Sequence, residues 1–149
     1  MPRYLMDTNI LLRYADTGAS QHSLIMKALE TLALRQDEVV MAPQTIYEFW
    51  SVATRPADKN GLGWATTKVS TVVDQVTKRF PLLPDAPSVF ENWLELVTQY
   101  DVKGKQVHDA RLVAAMQTHS VRDLLTLNIK DFERYSEIEA AHPEEISKA

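Results

Sequence analysis

The chain has 149 residues, enough for one ordinary domain with a sizeable core. Hydrophobic residues make up 45% and charged residues 24%, which excludes a disordered chain, and the lack of cysteine excludes a disulfide framework, a zinc–thiolate site and a thiol nucleophile. A formal net charge of −4 argues against holding nucleic acid by bulk electrostatics, but not against touching it through a few basic residues and a metal.

A first strand is predicted at residues 3–6, ending directly on Asp7, with a short helix at about 9–15. A longer helix over 20–35 carries Leu24, Ile25, Ala28, Leu29 and Leu32 on one stripe. Val39-Val40-Met41-Ala42 reads as a second strand, Pro43 as its turn, and Thr45 as the cap of a helix over 46–55. Residues 56–63 are a polar, glycine-containing loop. A helix over 65–79 follows, then a short third strand, Phe80-Pro81-Leu82-Leu83, whose proline places it near an edge. Helices are expected over 87–100 and 107–118, separated by a break at Gly104. Leu124-Leu125-Thr126-Leu127 is a fourth strand, a short helix holds Phe132 and Tyr135, and 138–141 is a weak last strand. Residues 142–149 read as a frayed tail after a single domain of 1–141. The alternation of strands and helices predicts an α/β/α sandwich around a mostly parallel sheet. No apolar run approaches a membrane span and no signal-peptide core opens the chain, so a cytoplasmic protein is expected.

Parallel strands end on one rim, where ligands of open α/β sheets bind. Asp7 follows the first strand, Glu48 lies about one turn into the helix after the second, and Asp109 begins the helix over 107–118. Asn128 follows the fourth strand, with Asp131 one turn beyond. Each position taken alone also reads as a helix cap, a turn or a solvated surface residue. Taken together they predict a like-charged cluster that needs a cation. Oxygen-only donors suit a hard ion, Mg²⁺ or Mn²⁺, the equipment of phosphodiester hydrolysis.

Four segments carry a resemblance. They are Leu5-Met6-Asp7-Thr8-Asn9-Ile10-Leu11, Pro43-Gln44-Thr45-Ile46-Tyr47-Glu48, Val107-His108-Asp109-Ala110-Arg111-Leu112-Val113-Ala114-Ala115 and Leu125-Thr126-Leu127-Asn128-Ile129-Lys130-Asp131-Phe132. In order and spacing the chain resembles the PIN domain, and more closely the VapC-like toxins of bacterial toxin–antitoxin pairs. The resemblance implies a metal-dependent ribonuclease with its acids at Asp7, Glu48 and Asp109. It implies that Asp7 and Asp109 hold Mg²⁺ or Mn²⁺, that Glu48 binds it or orients its water, and that the products are 5′-phosphate and 3′-hydroxyl ends. It also implies a homodimer and a protein antitoxin. The family's fourth acidic position falls on Asn128, which brings an acceptor but no charge. Asp131 reads mainly as a cap. Thr8, Asn9 and Thr126 are expected to orient the carboxylates.

Arg13, Arg55, Lys59, Lys105 and Arg111 are the candidate RNA contacts; each alone reads more readily as a solvated charge. Trp64 is expected under the loop as core rather than stacked on a base, and His108 as a hydrogen-bonded structural residue. Two other readings stand beside the nuclease. One is a non-catalytic PIN module that binds RNA or protein. The other is an Asp-phosphorylated receiver or phosphatase-like domain, with Asp85 as acceptor after the third strand, though Asn9 replaces the second Asp that a dehalogenase-type phosphatase needs.

Overall fold

The chain is a computed structural model that describes residues 2–148. Four strands form one sheet in the order β2-β1-β3-β4: β1 Arg3–Met6, β2 Glu38–Val40, β3 Asp123–Leu125 and β4 Glu139–Ala141. Every pairing is parallel, with Leu5 opposite Val40 on one side and Leu124 on the other. Helices α1 Thr8–Ala15, α2 His22–Leu34, α3 Pro43–Thr54, α4 Thr66–Arg79, α5 Pro87–Gln99, α6 Gln106–Thr118 and α7 Pro143–Lys148 complete the fold.

Side chains alternate across a strand, so each strand feeds two cores. Leu5, Val40 and Leu124 enter one core with α5 and α6. Met6, Val39, Met41 and Leu125 enter the other with α1, α2, α3 and α4. This is the three-layer α/β/α sandwich, and it explains why the strands read as continuous apolar runs. Helix α6 buries Ala110, Leu112, Val113, Ala114, Ala115 and Met116 in the core it shares with α5 and the sheet residues Leu5, Val40 and Leu124.

Three predicted elements differ. The short helix expected to hold Phe132 and Tyr135 is a 3₁₀ turn, Ile129–Phe132, that ends before Tyr135. The third strand at 80–83 is a single parallel bridge between Met41 and Leu82. Met41 N donates to Pro81 O and Leu83 N to Met41 O, and no regular ladder extends further. The expected frayed tail is instead α7, which packs against α2 and buries Ile146 to 5% exposure. Its own signals are short-range: Pro143 opens it, Glu144 and Glu145 sit in the first turn, and Lys148 in the last. A six-residue helix does not hold alone in water; docking holds it. Ile146→Ala is therefore expected to lower stability by about 2 kcal/mol, read as a fall in melting temperature.

Candidate active site

Asp7 stands one residue beyond β1, where its N–H still donates to Leu125 O at 3.0 Å. It is also the N-cap of α1, in extended backbone, so the turn from strand to helix aims its carboxylate over the sheet rim. Oδ1 accepts from Thr8 N at 2.8 Å. Oδ2 accepts from Thr126 Oγ1 at 2.8 Å and from Asn9 Nδ2 at 3.2 Å. Thr126 is fully buried, and Asn9 accepts in turn from Leu127 N. Thr8, Asn9 and Thr126 thus fix Asp7 in one orientation. Burial pushes the Asp7 carboxyl above its ordinary range, against the downward pull of these bonds, with the nearby Glu48 adding to the rise.

Glu48 lies on α3, and its Oε1 accepts from Thr8 Oγ1 at 3.0 Å. Pro43 takes the first position of α3, with Ala42 as N-cap, so Thr45 is not the cap expected from sequence. Its hydroxyl is fully buried and donates to Met6 O at 3.1 Å, tying α3 to the end of β1. Sequence reasoning gave no role to Gln44, although it stands one turn before Glu48. It is buried, and its Nε2 donates to His108 O at 2.7 Å.

Asp109 enters from the first turn of α6. Asp7, Glu48, Asp109, Asn128 and Asp131 line one cavity of about 250 Å³. Asp131 lies inside the 3₁₀ turn Ile129–Phe132 and faces this cavity rather than capping a helix; Asn128 is the residue before the turn. Burial, then the charges of Asp7, Asp131 and Glu48, raise the Asp109 carboxyl from 3.8 to about 7, with Arg134 opposing. Such mutual repulsion is what a divalent cation relieves.

Among the described residues no three His, Asp or Glu side chains are gathered closely enough to hold an ion by themselves. The donors fit a hard cation in kind. All are oxygens, and Mg²⁺ takes one or two carboxylates and keeps several waters, so it does not need a closed protein cage.

Glu48, Asp109 and Asp131 also border a larger groove of about 680 Å³, where Arg55 and Lys105 supply positive charge. Arg55 is placed by the loop 56–63, as expected from sequence, which contains the short 3₁₀ turn Ala57–Lys59 and folds back on itself. Gly63 N donates to Arg55 O at 2.8 Å, and Trp64 N to Ala53 O at 2.9 Å. Gly61 passes so close that a Cβ there would fall 2.0 Å from Arg55 O. Trp64 packs against the core, with the Lys68 ammonium 4.0 Å from its ring centroid. His108 is exposed at the groove, rather than the hydrogen-bonded structural residue expected.

Of the remaining candidates, Arg111 lines a neighbouring cavity with Gln44, Glu48 and His108, whereas Arg13 and Lys59 line neither the acidic cavity nor the groove. Lys59 is exposed on the 3₁₀ turn, and Arg13 Nε donates to Gln21 at 3.3 Å. Arg111 donates to Gln44 Oε1 at 3.2 Å and pairs with Asp85 at 3.1 Å. Asp85, the acceptor that a receiver reading requires, is engaged in that pair and does not line the acidic cavity.

Fold and site together define a parallel α/β domain with an acid-lined cavity on its C-terminal strand rim. The chain matches the PIN domain over residues 4–141, and it belongs to that family. No curated protein sequence matches it significantly. Among solved structures it is similar to the VapBC2 complex of Rickettsia felis, bound to a DNA fragment from its promoter. The TM-score is 0.71 at 17% identity, covering 94% of this chain and 98% of that one. A toxin–antitoxin complex from Klebsiella pneumoniae superposes with TM-score 0.66 at 21% identity, covering 94% and 97%. The VapC20 toxin of Mycobacterium tuberculosis, described as cleaving the sarcin–ricin loop, gives 0.56 at 13%, covering 81% and 86%. At these identities the likeness is one of fold. No helix among the described residues is long and apolar enough to cross a membrane.

Proposed function

We propose that this protein is a Mg²⁺- or Mn²⁺-dependent endoribonuclease and the toxin member of a toxin–antitoxin pair. The observation that carries the reading is that Asp7, Glu48 and Asp109, from three separate elements, line one cavity beside a groove with basic residues. Family membership and the likeness to VapBC complexes support the nuclease and antitoxin parts. A homodimer is part of the same proposal.

Asp7 and Asp109 would hold the cation, and Glu48 would bind it or orient the attacking water, with a carboxylate taking that water's proton. When bound, such a cation would supply Lewis acidity toward the phosphate and its attacking water. Thr8, by donating to both Asp7 and Glu48, sets their spacing. Water adds to phosphorus as the 3′-oxygen leaves, giving 5′-phosphate and 3′-hydroxyl ends. The 2′-hydroxyl takes no part in that chemistry, so RNA is selected by shape and contacts. Asn128 and Asp131 complete the polar lining, Asn128 without charge.

Arg55 and Lys105 receive phosphates flanking the scissile bond. Arg55→Glu combined with Lys105→Glu is expected to raise the KM for RNA, hold kcat, and flatten the salt dependence of binding by about 0.7 per lost phosphate contact. Equal KM in parent and double variant places the RNA elsewhere. Arg13 and Lys59 are not expected to matter.

The test of the reading is cleavage of total RNA by purified protein with Mg²⁺, Mn²⁺ or EDTA. A second reading, a non-catalytic PIN module, is favoured by Asn128 in the fourth position and the net charge of −4. It predicts no cation binding that depends on Asp7 and no cleavage in any of the three conditions.

A further inference from the structure

We propose that Gln44 is a positioning residue that sets the separation between Glu48 and Asp109. The proposal rests on the nuclease reading above for its consequence, but not for its geometry. Gln44 is 7% exposed, one of only three buried polar side chains among the described residues, with Thr45 and Thr126. Its Nε2 donates to His108 O at 2.7 Å and reaches Glu48 Oε1 at 3.5 Å. Its Oε1 accepts from Arg111 Nη1 at 3.2 Å, and Arg111 Nη2 is held by Asp85 at 3.1 Å. These partners determine the amide's orientation: a carbonyl only accepts and a guanidinium only donates.

The carbonyl that Gln44 holds belongs to the residue immediately before Asp109. Its neighbour Thr45 holds the carbonyl immediately before Asp7. Glu48 follows one turn later on the same helix. Two consecutive side chains therefore fix α6 and β1 to the helix that carries the third acid. Inside an α-helix the His108 carbonyl already has a partner four residues on. The bond from Gln44 is not needed to form α6; it fixes where the start of α6 lies relative to α3. The sequence offers no conspicuous sign of this, because the partners are 64 and 67 residues away from Gln44.

The test compares the parent with Gln44→Leu, which fills the volume without hydrogen bonds, and Gln44→Glu, which keeps the acceptor for Arg111 but loses the donor. Melting temperature establishes folding. Mn²⁺ affinity is read by electron paramagnetic resonance without RNA, kcat and KM by RNA cleavage, and hydrogen exchange over residues 106–111. The expected result is a fall in Mn²⁺ affinity of about tenfold or more, a parallel fall in kcat, and an unchanged KM for RNA. A folded variant of either kind with parental Mn²⁺ affinity and kcat overturns the proposal. If neither folds, Arg111→Gln decides on the same readouts, since it frees the amide from the exposed side. A parent that neither binds Mn²⁺ nor cuts RNA sinks the nuclease reading instead. The clamp is then judged by hydrogen exchange alone: faster over 106–111 in Gln44→Leu if it holds, unchanged if it does not.

Discussion

Asp7→Asn is expected to reduce RNA cleavage on the order of a thousandfold while leaving the protein folded. The carboxylate is the most constrained group in the cavity. It accepts from Thr8 N at 2.8 Å, Thr126 Oγ1 at 2.8 Å and Asn9 Nδ2 at 3.2 Å. The new amide retains an oxygen for Thr8 N, whereas the Thr126 hydroxyl, which already accepts from Asn9 Nδ2 and Asn128 N, loses its acceptor. Asn9 loses one bond but keeps its longer one to Thr126 at 3.3 Å. The charge is gone, and with it the hold on a cation that the proposed function assigns to Asp7. Melting at or above the parental temperature is expected, because burial already disfavours the ionised form of Asp7. The decisive measurements are kcat and Mn²⁺ affinity beside the melting curve. Cleavage that persists in both Asp7→Asn and Asp109→Ala points to an active centre somewhere else.

The second large effect concerns stability and has the opposite sign from most active-site substitutions. Asp109 is half-buried among like charges, and its carboxyl is raised from 3.8 to about 7. Between those values the folded protein keeps a proton that the unfolded chain has released. The unfolded state then binds fewer protons, so stability falls as pH rises through this window and the loss is complete above about 7. Asp109→Asn removes that term. At pH 8, without divalent cation, the variant is expected to be more stable by about 1–2 kcal/mol, discounted for partial solvent exposure, or roughly 2–8 °C in melting temperature. Near pH 4 the two curves converge. Because the proton competes with a cation, Mn²⁺ affinity of the parent is expected to climb as pH passes 7, whereas the variant lacks that climb. An Asp109→Asn protein no more stable than the parent at pH 8 shows that the acids repel one another far less than their placement implies.

Much of the architecture was readable because its causes are local. Apolar runs at β1, β2 and β3, separated by amphipathic helices, specify a parallel sheet covered on both faces. Connecting parallel strands through helices sends every strand end to one rim, so Asp7, Glu48 and Asp109 could be grouped before any coordinates. Other features had no local cause. Phe80-Pro81-Leu82-Leu83 is apolar enough for a strand, yet it makes only one bridge. Polar 143–148 reads as a tail, and its helix exists because α2 offers Ile146 a surface. Thr45 suits a cap from its position, but Pro43 had already begun the helix and Met6 O stood within reach.

What the sequence determined by itself is the chemistry of the rim: oxygen donors, mostly charged, placed where strands stop. What only the tertiary structure decided is how those donors act on each other. That Asp131 faces the cavity, that Arg111 turns to Asp85, and that Gln44 bridges α3 to α6 depend on separations of a few ångströms between residues far apart in the chain. Electrostatic coupling and hydrogen bonding fall off over such distances, and residue order alone does not encode them.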